Sequence, residues 1–331
     1  MSAGSSLPYR LRPNKAVDRE LFLSLLMRLA PTLTLENYHY VGLGGPFLED
    51  FRLIHGRLGI AKMTCIETEE QVHKRQLFNR PIGSIECVNK SLDDYLDETD
   101  IDSPAIIWFD YTEPKSITSQ IERFSRTVGT VPVGSILRIT LNANPESLGK
   151  PDPKEISVEA AGDVSEDRAQ KPTMQKWRLA RFKKRLGAFS PSGLTSEGMM
   201  HKSYGKSLLH ALKLAVDKEA LSFRDRRIVW ALATHYADGQ AMVTAALVVC
   251  RIDDMSIEES VKTWEFHAPP DAPHRVDLPA LSTLERLTME SNDDAQAMMG
   301  FELPKSNMGE NPFEVFKKFY RIYPHFSRVE L

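Results

Sequence analysis

Tyr38-His-Tyr-Val-Gly-Leu-Gly-Gly-Pro-Phe-Leu-Glu-Asp-Phe51 is the stretch on which the reading of this chain turns. Tyr38, Tyr40 and Val41 have the alternating aromatic and β-branched character of a strand. Gly42, Gly44 and Gly45 then make a tight turn in which no Cβ obstructs a ligand near the backbone. Pro46 suits the first position of a helix, where its missing N–H costs nothing. Phe47, Leu48, Phe51, Leu53 and Ile54 continue at helical spacing to a stop at Gly56 or Gly59. Strand, glycine turn and helix in this order bring a nucleotide-like ligand to a helix N-terminus. A branched side chain at Gly44 is therefore expected to intrude on the ligand.

Alone, Gly-x-Gly-Gly is a weak signal, because loop glycines are as often plain turn residues. The next element sharpens it. Residues 60–66 form a second apolar run ending in Glu67, about twenty residues past the glycines, where a strand-end acid can hold both ribose hydroxyls. A carboxylate suits the task because a vicinal diol offers two donors to its two oxygens.

Further along, Glu69 to Phe78 reads as a helix and Ser84 to Val88 as a third strand. Ser91 opens another helix through Leu96. Ala105-Ile-Ile-Trp-Phe is continuously apolar, the pattern of a strand buried on both faces, and it ends in Asp110-Tyr111-Thr112-Glu113-Pro114. A helix over 117–127 and a strand over 134–141, ending at Asn142, complete an alternating series. Such alternation predicts a doubly wound parallel sheet with its ligands beyond the strand C-terminal ends. Residues 228–236 and 241–251 are strand-like, and Asp238-Gly239 between them is a hairpin signal. The sheet is thus expected to begin parallel and end antiparallel, with seven strands in all.

The flanks are helical. Arg10, Arg12 and Lys15 sit in or beside an extended lead before the first helix, with Asn14 as its candidate N-cap. They read either as a solvated basic arm or as a clamp over the site. Residues 143–170 are an irregular excursion rich in Pro, Gly, Ser and acids. Residues 171–186 are basic and helical, with Lys183, Lys184 and Arg185 at the end and Trp177 and Phe182 interleaved. That segment is either a solvated face or a surface for nucleic acid, since cations neutralise phosphates and aromatics stack on bases. After Met255 two helices are marked by a Ser282–Glu285 capping box and by Asn311-Pro312. The chain divides into an N-terminal arm and helix (1–36), an α/β core (37–142), an insertion with the basic helix (143–226), the hairpin (227–254) and a helical extension (255–331).

Composition excludes several classes. With 42% hydrophobic and 26% charged residues the chain is expected to be soluble and globular, and no apolar run is long enough to span a membrane. Its net charge of −3 makes any nucleic-acid binding a matter of a local patch. The three cysteines, Cys65, Cys87 and Cys250, lack metal-ligand spacing and read as reduced core residues, which suggests the cytoplasm. His201, His210, His235 and His267 show no ligand spacing either, so no metal is expected.

These residues resemble the class I S-adenosylmethionine-dependent methyltransferases over 38–141 and 228–251. Five alternating strands followed by an antiparallel hairpin is that family's topology. Tyr40-Val-Gly-Leu-Gly-Gly is similar to the aromatic-x-Gly-x-Gly cofactor loop of its amino-methylating members. The resemblance implies S-adenosylmethionine as cofactor, held by Tyr40, Gly42, Gly44, Gly45, Glu67 (ribose), Asn89 and Ser91 (adenine) and Asp110. Asp110-Tyr111-Thr112-Glu113-Pro114 is similar to the Asp/Asn-Pro-Pro-Tyr/Phe catalytic loop, which implies catalytic roles for Asp110 and Tyr111. The Arg-Pro-Asn-Lys-Ala lead is also similar to that of a bacterial O-methyltransferase group. Two departures stand out. Tyr40 replaces the acid that many members carry before the first glycine, and Tyr111-Thr112 replaces both prolines of the catalytic loop. The expected function is methyl transfer to an amine or hydroxyl of a planar polar acceptor, nucleic acid among the candidates. A non-catalytic S-adenosylmethionine or nucleotide sensor is the alternative. A nicotinamide oxidoreductase fits less well, because Phe47 stands where its third glycine belongs.

Overall fold

The computed structural model describes residues 12–152, 172–304 and 308–323. Arg10, and the first residue of the basic segment, lie outside them. The chain builds one eight-stranded sheet in the order β3-β2-β1-β4-β5-β7-β6-β8. Its strands are β1 (His39–Gly42), β2 (Met63–Glu67), β3 (Ile85–Asn89), β4 (Ala105–Asp110), β5 (Ile136–Asn142), β6 (Arg226–Asp238), β7 (Gln240–Arg251) and β8 (His274–Val276). The first five run parallel. β7 then joins β5 antiparallel and pairs with β6 through a hairpin whose turn residue, Gly239, has φ +89°.

Seven strands match the expectation, and β8 is one more. It is a three-residue strand parallel to β6, paired over Thr234 to Tyr236, inside the extension read as purely helical. Three residues are too few to show a period-two pattern, which is why the sequence conceals it.

Both faces of the sheet are covered. On one, α1 (Pro13–Leu33) lays Val17, Leu21, Phe22, Leu25 and Leu29 against Tyr40, Trp108 and Val229. α2 (Glu49–Leu58) and α8 (Ser256–Lys262) share that layer through Phe51, Ile54, Ile257 and Val261. On the other, α5 (Ile117–Thr130) and α7 (His201–Ala220) pack Ile121, Phe124, Leu208 and Leu212 on Ile107, Phe109, Leu137 and Ile139. α3 (Glu70–Asn79) and α4 (Leu92–Glu98) complete the βα crossovers. α6 (Met174–Leu186) is amphipathic, burying Phe182 and Leu186. The capping box at Ser282 opens α9 (Thr283–Ser291), α10 (Ala295–Met299) follows, and Asn311 caps α11 (Pro312–Phe319).

Two buried ion pairs tie α1 to the rest. Arg138, in the middle of β5 and fully buried, donates to Asp18 and lies over the rings of Phe22 and Trp108. Asp18 also accepts from the hydroxyls of Thr234 and Thr244 on the hairpin strands. One residue on, Arg19 grips Asp50 of α2 with two contacts of 2.7 and 2.9 Å. Removing one partner of such a pair strands a buried charge, so the helix is locked in position more than it is stabilised.

Candidate functional site

The parallel strands place Glu67, Gly42 and Asp110 at the C-terminal ends of β2, β1 and β4, three neighbours in the sheet. That is the edge where an α/β sheet binds its ligand. The glycine loop differs from expectation in two respects. Residues Gly45–Phe47 form a 3-10 turn, Leu48 sits in the left-handed region at φ 50°, and the α-helix begins only at Glu49. Pro46 therefore sits in the middle of the 3-10 turn and not at the start of the helix.

The glycines also serve a different end. A Cβ at Gly44 would meet Cys65 Sγ and the Phe51 ring at 2.9 Å, and one at Gly42 would meet Tyr40 Oη at 2.9 Å. Both vacant positions face the protein interior. The expectation that a side chain at Gly44 intrudes on a ligand is thus corrected, because the atoms it meets belong to the core. What the glycines permit is a backbone lying flat on β2 and α2, with its peptide groups at the strand ends. Tyr40, where many methyltransferases carry an acid, is fully buried, and its hydroxyl has no hydrogen-bond partner among the described residues. Burial holds that phenol well above its usual range.

At the end of β2, one oxygen of the half-buried Glu67 carboxylate accepts from the Glu69 N–H at 2.9 Å. Asn89, its register partner on β3, donates its side-chain amide to the Glu67 carbonyl at 2.8 Å. Ser91 accepts from the Asp94 N–H and donates to the Asp94 carboxylate, so its side chain is the N-cap of α4. The polar groups of Asn89 and Ser91 thus shape the turn after β3.

Asp110 ends β4, half-buried. Tyr111 turns away from it: its N–H donates to the Thr140 carbonyl and its hydroxyl to Asp93 of α4 at 2.9 Å. Burial, with the Asp93 charge added, pushes the Tyr111 phenol far up, so it stays a neutral donor. Beyond these two residues, Asn142 at the end of β5 accepts from Gln240 of the hairpin and donates to the Thr112 carbonyl at 3.5 Å.

The lead also differs from its reading. Helix α1 starts at Pro13 with Arg12 at the N-cap, and Asn14 is buried inside the first turn. Its amide donates to the Ala237 carbonyl, and its carbonyl oxygen accepts from Leu278 N. The capping carboxylate comes from Asp238, which accepts the N–H groups of Asn14 (3.4 Å) and Lys15 (2.7 Å). A first-turn N–H satisfied by an anion is the ordinary stabilisation of a helix start, delivered here across the whole fold. Burial lowers the Lys15 ammonium below its ordinary range, while the charges of Asp110 and Asp50 raise it. The charge of Arg12, at the N-cap of the same helix, lowers it further. Sequence reasoning missed Asp238, Asn142, Gln240, Asp50 and Arg19; Asp238-Gly239 read as a turn, and nothing local marks the others.

The basic helix splits in two. Lys176, Arg181, Lys183 and Lys184 are exposed. Arg185 turns one end of its guanidinium to the protein: Nη1 donates to the carbonyls of Ser147 (3.0 Å) and Pro114 (3.4 Å), and its own carbonyl accepts from Thr118. It staples α6 to the loop after Asp110. Among the described residues no group of three His, Cys, Asp or Glu could hold a metal, and no helix is long and apolar enough to cross a membrane.

A family model described as "Putative O-methyltransferase" matches residues 7–331. No curated protein matches the sequence. Among solved structures the chain is similar to Trm1 from Pyrococcus horikoshii with S-adenosyl-L-methionine, at 13% identity and a TM-score of 0.45. That match covers 72% of this chain and 55% of the Pyrococcus protein, so it spans about half of that protein's length. An rRNA methylase from Streptococcus thermophilus matches at 12% identity, TM-score 0.33, over 70% and 96% of the two chains. The plantazolicin methyltransferase BamL, in complex with a desmethyl analogue and S-adenosylhomocysteine, matches at 14%, TM-score 0.35, over 72% and 87%.

Proposed function

The chain belongs to the O-methyltransferase family whose model it matches along nearly its whole length, and from that premise we propose that it transfers a methyl group from S-adenosylmethionine to a hydroxyl or amine of a planar polar acceptor. The observation that carries the reading is the row Glu67, Gly42–Gly45 and Asp110 at the ends of three adjacent parallel strands. These groups fit the cofactor. The flat glycine backbone suits its amino-acid end, with the buried Tyr40 hydroxyl beneath. Glu67 suits the ribose diol, and the turn from Asn89 to Ser91 suits the adenine.

The sulfonium supplies an already activated methyl, so the protein's work is alignment and proton handling. Asp110 accepts a hydrogen bond from the incoming hydroxyl or amine and orients its lone pair. Tyr111 holds α4 against the β4 loop through Asp93, which keeps the adenine side of the site in register.

The acceptor reading extends to nucleic acid. Arg185 staples α6 to the loop after Asp110, and the same helix carries the exposed Lys176, Arg181, Lys183 and Lys184. Phosphates alongside the reacting group would find their counter-charges there.

The test is incubation of the full-length protein with methyl-labelled S-adenosylmethionine and separate cellular fractions: RNA, DNA, protein and small molecules. Wild-type protein should label one fraction, and Asp110→Asn should bind the cofactor within a few fold but lose turnover by about a hundredfold or more. If RNA or DNA is labelled, replacing Lys183 and Lys184 by Ala should weaken that binding and flatten its salt dependence. Cofactor binding with no labelled product in any fraction would make the chain a sensor instead of an enzyme.

A further inference from the structure

We propose that Gln76 and Asn79 of α3 are the positioning residues of the glycine loop, holding Gly45–Phe47 in the form that receives the amino-acid end of S-adenosylmethionine; the assignment rests on the methyltransferase reading above. Three successive carbonyls of the loop are taken. Gly44 accepts from the Leu48 N–H at 3.1 Å, Gly45 from the Gln76 side-chain amide at 3.1 Å, and Pro46 from that of Asn79 at 2.8 Å. The Arg75 guanidinium lies over the Phe47 ring, 5.3 Å from its centre. Arg75, Gln76 and Asn79 of one helix thus hold the three residues of the 3-10 turn. Asn79 is fixed in its turn, because its own carbonyl accepts from Arg52 of α2 at 3.1 Å.

These bonds hold a conformation that needs holding. Gly45 has φ 52° and Leu48 φ 50°, and a leucine takes the left-handed region only where its surroundings impose it. Leu48 is fully buried, so packing fixes that end of the turn, whereas Gly45 and Phe47 are half-buried and lean on α3. Gln76 does not serve the core. It is fully buried, and its other amide atom, Oε1, has no hydrogen-bond partner among the described residues. A buried acceptor left unmet is destabilising, and an apolar side chain of similar size at this position would avoid it. The one hydrogen bond that the Gln76 side chain makes is the bond to the loop.

The same helix reaches the other half of the site. Glu69, the N-cap of α3, donates its N–H to the Glu67 carboxylate. The group that suits the ribose and the loop that suits the amino-acid tail are therefore tied to the two ends of one helix. Loss of the Gln76 and Asn79 side chains frees the glycine turn and leaves Glu67, Asn89 and Ser91 with their own partners. The effect should fall on ligands that carry the amino-acid tail and spare those that end at the ribose.

The test uses two probes, S-adenosylhomocysteine and methylthioadenosine, which share adenine, ribose and thioether and differ in the amino-acid tail. Full-length wild type, Gln76→Leu and Asn79→Ala are compared, the first probe by direct calorimetric titration and the second by competition against it. Urea unfolding of each protein runs alongside. Each variant should bind S-adenosylhomocysteine about five- to tenfold more weakly, while methylthioadenosine affinity stays within about twofold. Gln76→Leu should unfold close to the wild type, because the lost bond is offset by removal of the unmet acceptor. Should that variant fail to fold, Asn79→Ala, at a half-buried helix end, decides alone. Unchanged S-adenosylhomocysteine affinity in a folded variant overturns the proposal. An equal loss for both probes overturns it too, since a general loosening of the fold acts on both. A wild type that binds neither probe brings down the methyltransferase reading itself, whereas normal binding by wild type and variants alike brings down this proposal alone.

Discussion

Replacing Gly44 by alanine adds a single methyl group, and the structure says where that methyl goes. The backbone there has φ −103° and ψ −4°, a conformation any L-residue adopts, so the change carries no torsional penalty. The new Cβ would stand 2.9 Å from Cys65 Sγ and 2.9 and 3.0 Å from two Phe51 ring atoms. Carbon pairs prefer about 3.5–4.0 Å, so the overlap is half an ångström or more on two sides. Neither neighbour can yield cheaply. Cys65 is buried in β2, and Phe51 is buried and packed edge-on to Tyr40 with ring centres 4.9 Å apart. Overpacking of this kind costs about 1–3 kcal/mol, and two rigid neighbours argue for the upper half of that range. Urea unfolding of the ligand-free protein measures it. Adding Cys65→Ala removes one of the three obstructing atoms, so the double variant should be less destabilised than the sum of the singles by about 1 kcal/mol. A Gly44→Ala protein that unfolds like the wild type yet loses S-adenosylmethionine would refute the reasoning, since the methyl would then face the ligand.

Three further outcomes follow from the same contacts. Asp18→Ala leaves Arg138 charged and buried and should cost about 3–5 kcal/mol, whereas Asp18→Leu with Arg138→Met should cost less than either single change; thermal unfolding of the set decides. His235 and His274 are buried, and burial pulls both imidazoles down to about 4. The unfolded chain protonates each near 6.5, so their contribution is intact above about pH 6.5 and erodes toward pH 4, by up to about 1.4 kcal/mol per pH unit for each. Unfolding at pH 7 and at pH 5.5 should show the loss, and His235→Asn should flatten it; no change with pH would contradict the burial argument. Tyr111→Phe removes one hydrogen bond to Asp93 and should cost about 1 kcal/mol of stability, with turnover within a few fold. A hundredfold fall in rate would put that phenol in the reaction instead.

The parallel core was legible because its strands are apolar runs closed by Gly, Glu67 and Asp110, signals that lie within a few residues of each other. The hairpin was legible from Asp238-Gly239. What the sequence hides is what those residues do at long range. Asp238 reads as a turn residue and is also the cap of α1, more than two hundred residues away in the chain. Asn14 reads as a cap and is instead a bridge between the hairpin and the segment after β8. Arg185 belongs to a basic run, but only its partners on the loops after β4 and β5 separate it from its exposed neighbours. Charge and spacing are local properties, whereas partnership is decided by the packed fold. Gly44 carries the same lesson on a smaller scale. The motif announces a close approach of backbone, and only the fold reveals that the approach is to Cys65 and Phe51.

The central claim is that the ends of β2, β1 and β4 hold S-adenosylmethionine, and a paired calorimetric titration of wild-type and Glu67→Ala protein tests it most directly. The account predicts saturable binding of one molecule per chain, weakened in the variant by about 1.5–3 kcal/mol through loss of a charged acceptor for the ribose. A folded wild-type protein that does not bind, or a Glu67→Ala variant with unchanged affinity, would contradict it.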